Sequence, residues 1–213
     1  MFGRRGKQRD EPPPGDEAPG WDAIDAALRP LYGDTEPAHV GYGLAPPLGE
    51  DLQGCSAYDA GGHWHFVTYG LSALYVKEEG EDPDLSGWGI ELTFRLARGD
   101  ETAPPTWAYL LLNKLARYVN SSGRVFAPGH SLDGGGAITG HPADEGAPPT
   151  ALTGLAFAVD PRLGRIGTPH GEVTFVQVVG VTADERRRLA AGEPVLDELR
   201  ARDPLLVTDL ARA

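Results

Sequence analysis

The sequence of 213 residues contains a single cysteine, Cys55, so no disulfide can form within the chain and no set of cysteine metal ligands exists. Positive charge is also scarce, because 19 Lys and Arg residues face 31 Asp and Glu residues, for a formal net charge of -12. Such an acidic field repels phosphate backbones and anionic lipids, and we therefore expect neither nucleic acid nor a membrane as a partner.

Long apolar runs are absent too. No segment approaches the roughly 20 consecutive apolar residues of a membrane span. The basic start, Met1 to Asp10, runs into a Pro-rich stretch without the apolar segment of a secretory signal. Together with the lone cysteine, these absences predict a cytoplasmic protein.

Recognisable catalytic motifs are missing as well. The sequence has no Gly-x-Ser-x-Gly elbow, and Gly134 to Gly136 lack the Lys-Ser/Thr that would complete a phosphate-binding loop. The surroundings of Cys55 resemble no cysteine hydrolase, and cysteine is often a small buried hydrophobe. We therefore expect no catalytic residue, no cofactor and no enzyme activity.

Two histidines leave one alternative open. His63 and His65 lie two residues apart in a predicted strand, so both rings point to the same face and could coordinate one metal ion. A carboxylate or another histidine would have to supply the third ligand; the candidates are His39, His130, His141 and His170. Local hydrogen bonding beside a packed Trp64 is the more ordinary interpretation, and we expect no metal site. A metal-dependent enzyme using His63 and His65 remains the alternative function.

The order of segments predicts one folded domain after a disordered tail. Residues 1–19 combine Arg, Asp, Glu, Gly and Pro with almost nothing apolar, whereas residues 20–213 carry periodic apolar positions. Apolar residues at helical spacing predict a helix that begins at Trp21 and ends at Gly33. A short strand is expected around residues 39–42.

In two segments, successive side chains alternate in character as they do in a strand with two different faces. These segments are His63 to Tyr69 and Trp88 to Leu96. In the second, Glu91, Thr93 and Arg95 share one face, and we expect that face to meet solvent because antiparallel sheets are often wet on one side.

The second half of the chain mixes helices and strands without a regular alternation. Thr106 is expected to cap a helix over residues 107–119, and Thr182 and Glu185 form a capping box before another helix. The remaining expected elements are strands at 155–159 and 172–181, a short helix at 194–201, an edge strand at 205–210, and a long loop, functional or disordered, at 126–150. This pattern predicts an α+β fold: a single domain whose mixed sheet is mainly antiparallel, with helices packed on it.

The amino-acid sequences of several segments resemble those of the suppressor of fused family. The matching segments, in family order, are Gly20-Trp-Asp-Ala-Ile24, His63-Trp-His-Phe-Val-Thr-Tyr-Gly-Leu-Ser72, Gly87-Trp-Gly-Ile-Glu-Leu-Thr-Phe-Arg-Leu96, Pro104-Pro-Thr-Trp107, Leu115-Ala-Arg-Tyr-Val119 and Thr174-Phe-Val-Gln-Val-Val-Gly-Val181. The resemblance spans about residues 20–210 and implies a domain that acts by sequestering another protein. In the animal member, a short peptide of a Gli-type transcription factor is added as a strand and clamped against a second domain.

The resemblance also implies where a partner binds. The aromatic residue of the family's groove is present as Tyr118, whereas an acidic residue that pairs with the peptide falls at His130. We therefore expect Tyr118 and His130 to bind a protein or peptide partner. Single-domain relatives of this kind look bacterial and are thought to neutralise toxins, so an immunity protein with a toxin partner is the function expected here. A subunit of a larger assembly is a third interpretation.

Overall fold

The computed structural model describes residues 17–42, 52–77, 80–144 and 146–213, and these residues form four helices and eight strands. The helices are α1 (Pro19–Tyr32), α2 (Thr106–Ser122), α3 (Ala183–Ala190) and α4 (Val195–Arg202). The strands are β1 (Ala38–Gly41), β2 (Gly54–Asp59), β3 (His63–Tyr69), β4 (Leu85–Ala97), β5 (Ser131–Asp133), β6 (Leu152–Val159), β7 (Arg165–Thr168) and β8 (Gly171–Thr182). None of the described helices is long and apolar enough to cross a membrane.

All eight strands belong to one sheet, in the order β1-β2-β3-β4-β8-β6-β5, with β7 paired to β8 outside this path. Every pairing is antiparallel except that of β4 with β8, which is parallel and places Leu92 opposite Val176. The expected α+β fold with a mainly antiparallel mixed sheet is therefore confirmed.

Helices cover both faces of this sheet. On one face, α2 packs over a large apolar cluster; its aromatic members on the strands are Trp64, Phe66, Phe94 and Phe157. On the other face, α1 packs through Ile24 and Leu28 against β3 and β8, while α4 packs through Val195 and Leu199 against β6 and β8.

The polar face of β4 is buried, so the expectation that it meets solvent was wrong. Glu91 and Thr93 are 0% exposed and Arg95 is 1% exposed. These side chains point to the same side as α1, which closes over the neighbouring strand β3 through Val67 and Tyr69. Alternation of polar and apolar residues reports the two faces of a strand, but it does not report whether the polar face is covered.

Several boundaries also differ from the sequence-based expectations. Helix α2 begins at Thr106 itself, with Pro105 as its N-cap residue and no side-chain cap. Residues 205–210 form no strand, and an isolated bridge joins Thr208 to Leu96, between turns at residues 204–205 and 210. Strands β2, β5 and β7 had no prediction.

Two long segments were predicted to lack regular structure, the loop at 126–150 and the tail at 1–19. In the 126–150 loop the described residues contain β5 and several turns. The tail expected over residues 1–19 lies outside the described residues as far as residue 16, and α1 begins at Pro19. The capping box of α3 is present as predicted, with reciprocal bonds of 3.2 Å and 2.8 Å between Thr182 and Glu185.

Candidate functional site

Tyr118 lies on the last turns of α2, which ends where Gly123 adopts a left-handed conformation with φ 67°. Its side chain is 40% exposed, and its ring stacks on Phe126 with centroids 5.5 Å apart. Phe126 in turn stacks on Phe157 of β6 at 4.2 Å, and both of these rings are buried. The exposed ring is thus the outer member of an aromatic column that is anchored in the core.

His130 reaches the same column through the backbone. Its carbonyl accepts a hydrogen bond of 3.0 Å from the Phe157 N–H, and the neighbouring Gly129 N–H donates to the Phe157 carbonyl at 2.8 Å. The exposed imidazole is held in a turn, since its Nδ1 accepts a bond of 3.2 Å from the Ala127 N–H. The structure therefore connects both residues to Phe157, Tyr118 through stacked rings and His130 through the backbone.

Strand β5 begins directly after His130 and lies at one edge of the sheet. Its inner side pairs with β6, with Leu132 opposite Leu155, and among the described residues no strand pairs with its outer side. An edge of this kind presents N–H and C=O groups that a further strand can pair with. The exposed aromatic ring and the open edge are the two features that suit an extended peptide.

The two histidines of β3 belong to a separate, buried cluster under α1. His65 donates from Nε2 to Asp160 at 3.2 Å and accepts at Nδ1 from the Tyr32 hydroxyl at 2.7 Å. Arg95 donates from Nη2 to both oxygens of Asp160 at 3.1 Å, and Thr93 donates to it at 2.9 Å. His63 accepts at Nε2 from Arg95 at 3.2 Å.

This hydrogen-bonding pattern explains the ionisation of the cluster. Burial, opposed by the hydrogen bond to Asp160, lowers the pKa of His65 to about 4. Burial alone would raise the pKa of Asp160, but the bond from His65 and the charge of Arg95 hold it below its ordinary value. At neutral pH the centre is an ion pair of Arg95 with Asp160, flanked by neutral imidazoles.

The metal alternative finds no support in this geometry. Both ring nitrogens of His65 are engaged by Asp160 and Tyr32, so neither has a free lone pair for a metal. Among the described residues, no group of three or more His, Cys, Asp or Glu side chains is placed to hold an ion.

Glu91 forms a second buried polar centre on the same face. Its carboxylate accepts hydrogen bonds from Thr68 Oγ1, Ser72 Oγ and the backbone N–H groups of Gly70, Leu71 and Ser72, at 2.6 to 3.1 Å. Burial nevertheless raises its pKa to about 7. This residue fixes the bend that follows β3.

Sequence reasoning missed the cluster around Asp160 and the aromatic column below Tyr118. A signal for the first was available, because Arg95, His63 and His65 occupy matching faces of adjacent strands, as the pairing of His65 with Arg95 confirms. A cation at such a position calls for a buried carboxylate. Nothing local indicated that this carboxylate would be Asp160, which lies 65 residues further along the chain.

Comparison with known proteins gives a consistent result. A family model described as suppressor of fused protein matches residues 49–213. The suppressor of fused homologues of Homo sapiens and Mus musculus are each 38% identical to this chain over 70% of its length, an alignment that covers 32% of each relative. The chain thus spans about a third of the length of these curated relatives.

Solved structures agree with this match. A chain in the crystal structure of the Sufu–Fu complex superposes with a TM-score of 0.81 at 32% identity, and the alignment covers 92% of both chains. The crystal structure of Drosophila suppressor of fused gives a TM-score of 0.80 at 32% identity, covering 92% of this chain and 51% of that one. A homologue from Neisseria gonorrhoeae, with a TM-score of 0.57 at 15% identity over 90% of this chain and 94% of that one, shares the fold.

Proposed function

Because this chain belongs to the suppressor of fused family, we propose that it acts without catalysis, by binding another protein at the β5 edge beside Tyr118 and His130. A short extended segment of the partner pairs with the outer side of β5. Backbone hydrogen bonds supply affinity in this binding mode, and side-chain contacts supply specificity.

The observation that carries the proposal is the exposed Tyr118 ring, which stacks through Phe126 on Phe157 of β6, the strand that pairs with the edge strand β5. A tyrosine that is anchored through Phe126 loses little conformational freedom on binding, so it suits a binding hot spot. The similarity to a chain of the Sufu–Fu complex supports a protein as partner, since that structure contains a member of the same family in a complex.

The imidazole of His130 determines which hydrogen-bonding group of the partner can bind at this edge. An imidazole that accepts from the Ala127 N–H through Nδ1 carries its proton on Nε2 when neutral, and it presents that N–H outward as a donor. It therefore suits an acceptor on the partner, such as a carboxylate or a carbonyl, better than a cation.

The partner that we propose is a toxin delivered by a neighbouring cell, which this chain neutralises as a cytoplasmic immunity protein. The resemblance to single-domain bacterial relatives suggests this class of partner. A buried free thiol at Cys55 is compatible with a reducing compartment.

The test begins with affinity capture from the source cells and identification of the captured protein. The purified pair is then studied by calorimetry with Tyr118→Ala and, as control, Val40→Ala on the opposite edge strand β1, where the side chain is 38% exposed. We expect Tyr118→Ala to weaken binding by about 2 kcal/mol, or roughly 30-fold, as at other aromatic hot spots. Equal affinities for the two variants would exclude this edge.

The toxin assignment has its own readout. Co-expression of the captured partner with this protein restores growth if the partner is a toxin, and Tyr118→Ala removes that protection. A partner that is harmless when expressed alone would contradict the immunity role while leaving the binding site intact.

A further inference from the structure

A cleft of about 460 Å³ opens on the α1 face of the sheet, away from the β5 edge. It lies where the end of α1 meets β3, and its lining includes Leu31, Tyr32, His63, Arg95, Arg162 and Leu205. The cleft combines apolar walls with three nitrogen-bearing side chains, a composition typical of sites for small organic ligands.

Arg95 brings a buried donor to the wall of this cleft. The residue is 1% exposed, and its two terminal nitrogens donate to His63 and Asp160. Its Nε is buried and has no hydrogen-bond partner among the described residues. A buried N–H without a partner is rare in folded proteins, and in a cleft wall it indicates a group that ligand binding satisfies.

His63 adds a second donor. Arginine can only donate, so the bond from Arg95 makes His63 Nε2 an acceptor and puts the imidazole proton on Nδ1. Burial and the charge of Arg95 lower the pKa of His63, which keeps this ring neutral in the absence of a ligand.

Arg162 brings a further positive charge to the rim. Its backbone N–H donates at 2.8 Å to the Asp160 carboxylate, so the same side chain that holds Arg95 also positions Arg162. The Arg162 side chain is exposed and forms no ion pair within the described part of the chain.

The local charge balance favours an anion although the whole chain is acidic. Asp59 also lines the cleft, but its carboxylate is occupied by Arg98 and by the Gly61 N–H. Asp160 is neutralised by Arg95. The Asp203 charge also acts on His63, but its two oxygens accept the N–H groups of Leu205 and Val207. Arg162, which pairs with no carboxylate among the described residues, remains as a positive charge at the rim.

We propose that this cleft binds a small organic anion, with its carboxylate or phosphate group between Arg95, His63 and Arg162 and its carbon skeleton against Leu31 and Leu205. Charge-assisted hydrogen bonds from the guanidinium groups supply the affinity. The site is independent of the β5 edge, so either can fail without the other.

Calorimetric titration of the full chain with inorganic phosphate, and separately with acetate, tests the site. Each anion is added up to about 50 mM at constant ionic strength, a range that fills sites of millimolar affinity. Binding of phosphate, of acetate or of both supports the proposal and identifies the preferred group. If neither anion binds, the proposal is overturned.

Variants locate the binding. Arg162→Ala should weaken it at least tenfold, the loss expected for one charge-assisted bond. Arg165→Ala is the matched control, because Arg165 is exposed and pairs with Glu172 on the β7–β8 hairpin. In two-dimensional NMR of the histidine rings, the His63 nitrogens should shift on titration. Equal weakening by both variants, or an unchanged His63, would show that the anion binds elsewhere.

Discussion

Replacing Asp160 with Asn should destabilise this protein more than any surface substitution. The Asp160 carboxylate is 0% exposed and accepts from His65, Thr93 and Arg95 as well as from the backbone N–H groups of residues 162 and 163. Asparagine keeps one acceptor oxygen, but its amide nitrogen can only donate and would face donors from the cluster.

The expected loss of stability follows from the charge that Asp160→Asn leaves unpaired. Without Asp160, the guanidinium of Arg95 has no counter-charge in a site where it is 1% exposed. Breaking a buried ion pair by removing one partner typically costs about 3 to 5 kcal/mol, because the other charge stays buried and unpaired. A domain of this kind has a total stability of about 5 to 15 kcal/mol, so the loss is a large fraction of it.

Urea unfolding followed by circular dichroism measures this loss. The control is Asp59→Asn, which breaks the exposed ion pair with Arg98 and should cost less than about 1 kcal/mol. In a double-mutant cycle, Arg95→Met should recover part of the stability lost in Asp160→Asn, because the unpaired charge is removed. A loss in Asp160→Asn no larger than in the control would refute the account of the buried cluster.

Two further predictions concern pH and helix capping. The pKa of His65 is lowered from its ordinary 6.5 to about 4, so only the unfolded chain gains this proton between these values; the contribution of His65 to stability should therefore fall by about 3 kcal/mol as pH drops from 6.5 to 4. The raised pKa of Glu91, about 7, has the opposite sign and adds stability over this range, whereas the depressed pKa of Asp160 adds a loss below about pH 4. Urea unfolding of the wild type and of His65→Asn between pH 7 and 4 isolates the His65 contribution as the difference between the two proteins, and a difference that does not change with pH would contradict it. Thr182→Ala should lower the free energy of unfolding by about 1 kcal/mol, because it removes the side-chain cap of α3. Thr106→Ala changes a position without a side-chain cap and should alter the free energy of unfolding by less than about 0.5 kcal/mol. Equal effects in thermal unfolding would contradict the assignment of the caps.

The local part of this fold could be predicted from the sequence. Strands β3 and β4 follow from alternation, and the start of α3 follows from the capping box at Thr182 and Glu185. These signals are local because strand period and cap chemistry are set within a few residues.

Long-range features were not predictable in the same way. The burial of Glu91 and Arg95 depends on α1 covering their face, and the partner of Arg95 lies on a distant turn. Tyr118 and His130 were reached only through the family resemblance, and the edge strand β5 was not predicted, since the link of Tyr118 to the sheet depends on its stack with Phe126 and Phe157.

The parallel pairing of β4 with β8 has a consequence for how the chain folds. It joins an antiparallel half formed by β1 to β4 with another formed by β5 to β8. The connections within each half are shorter than the segment between residues 97 and 171, which the parallel junction must close. Closing this longer loop is slower, because its entropy is lost before the contacts of the junction form. We expect the halves to form early and their junction to limit the folding rate. Substitutions at Leu92 or Val176, where the halves meet, should therefore slow folding more than substitutions within the β2–β3 hairpin.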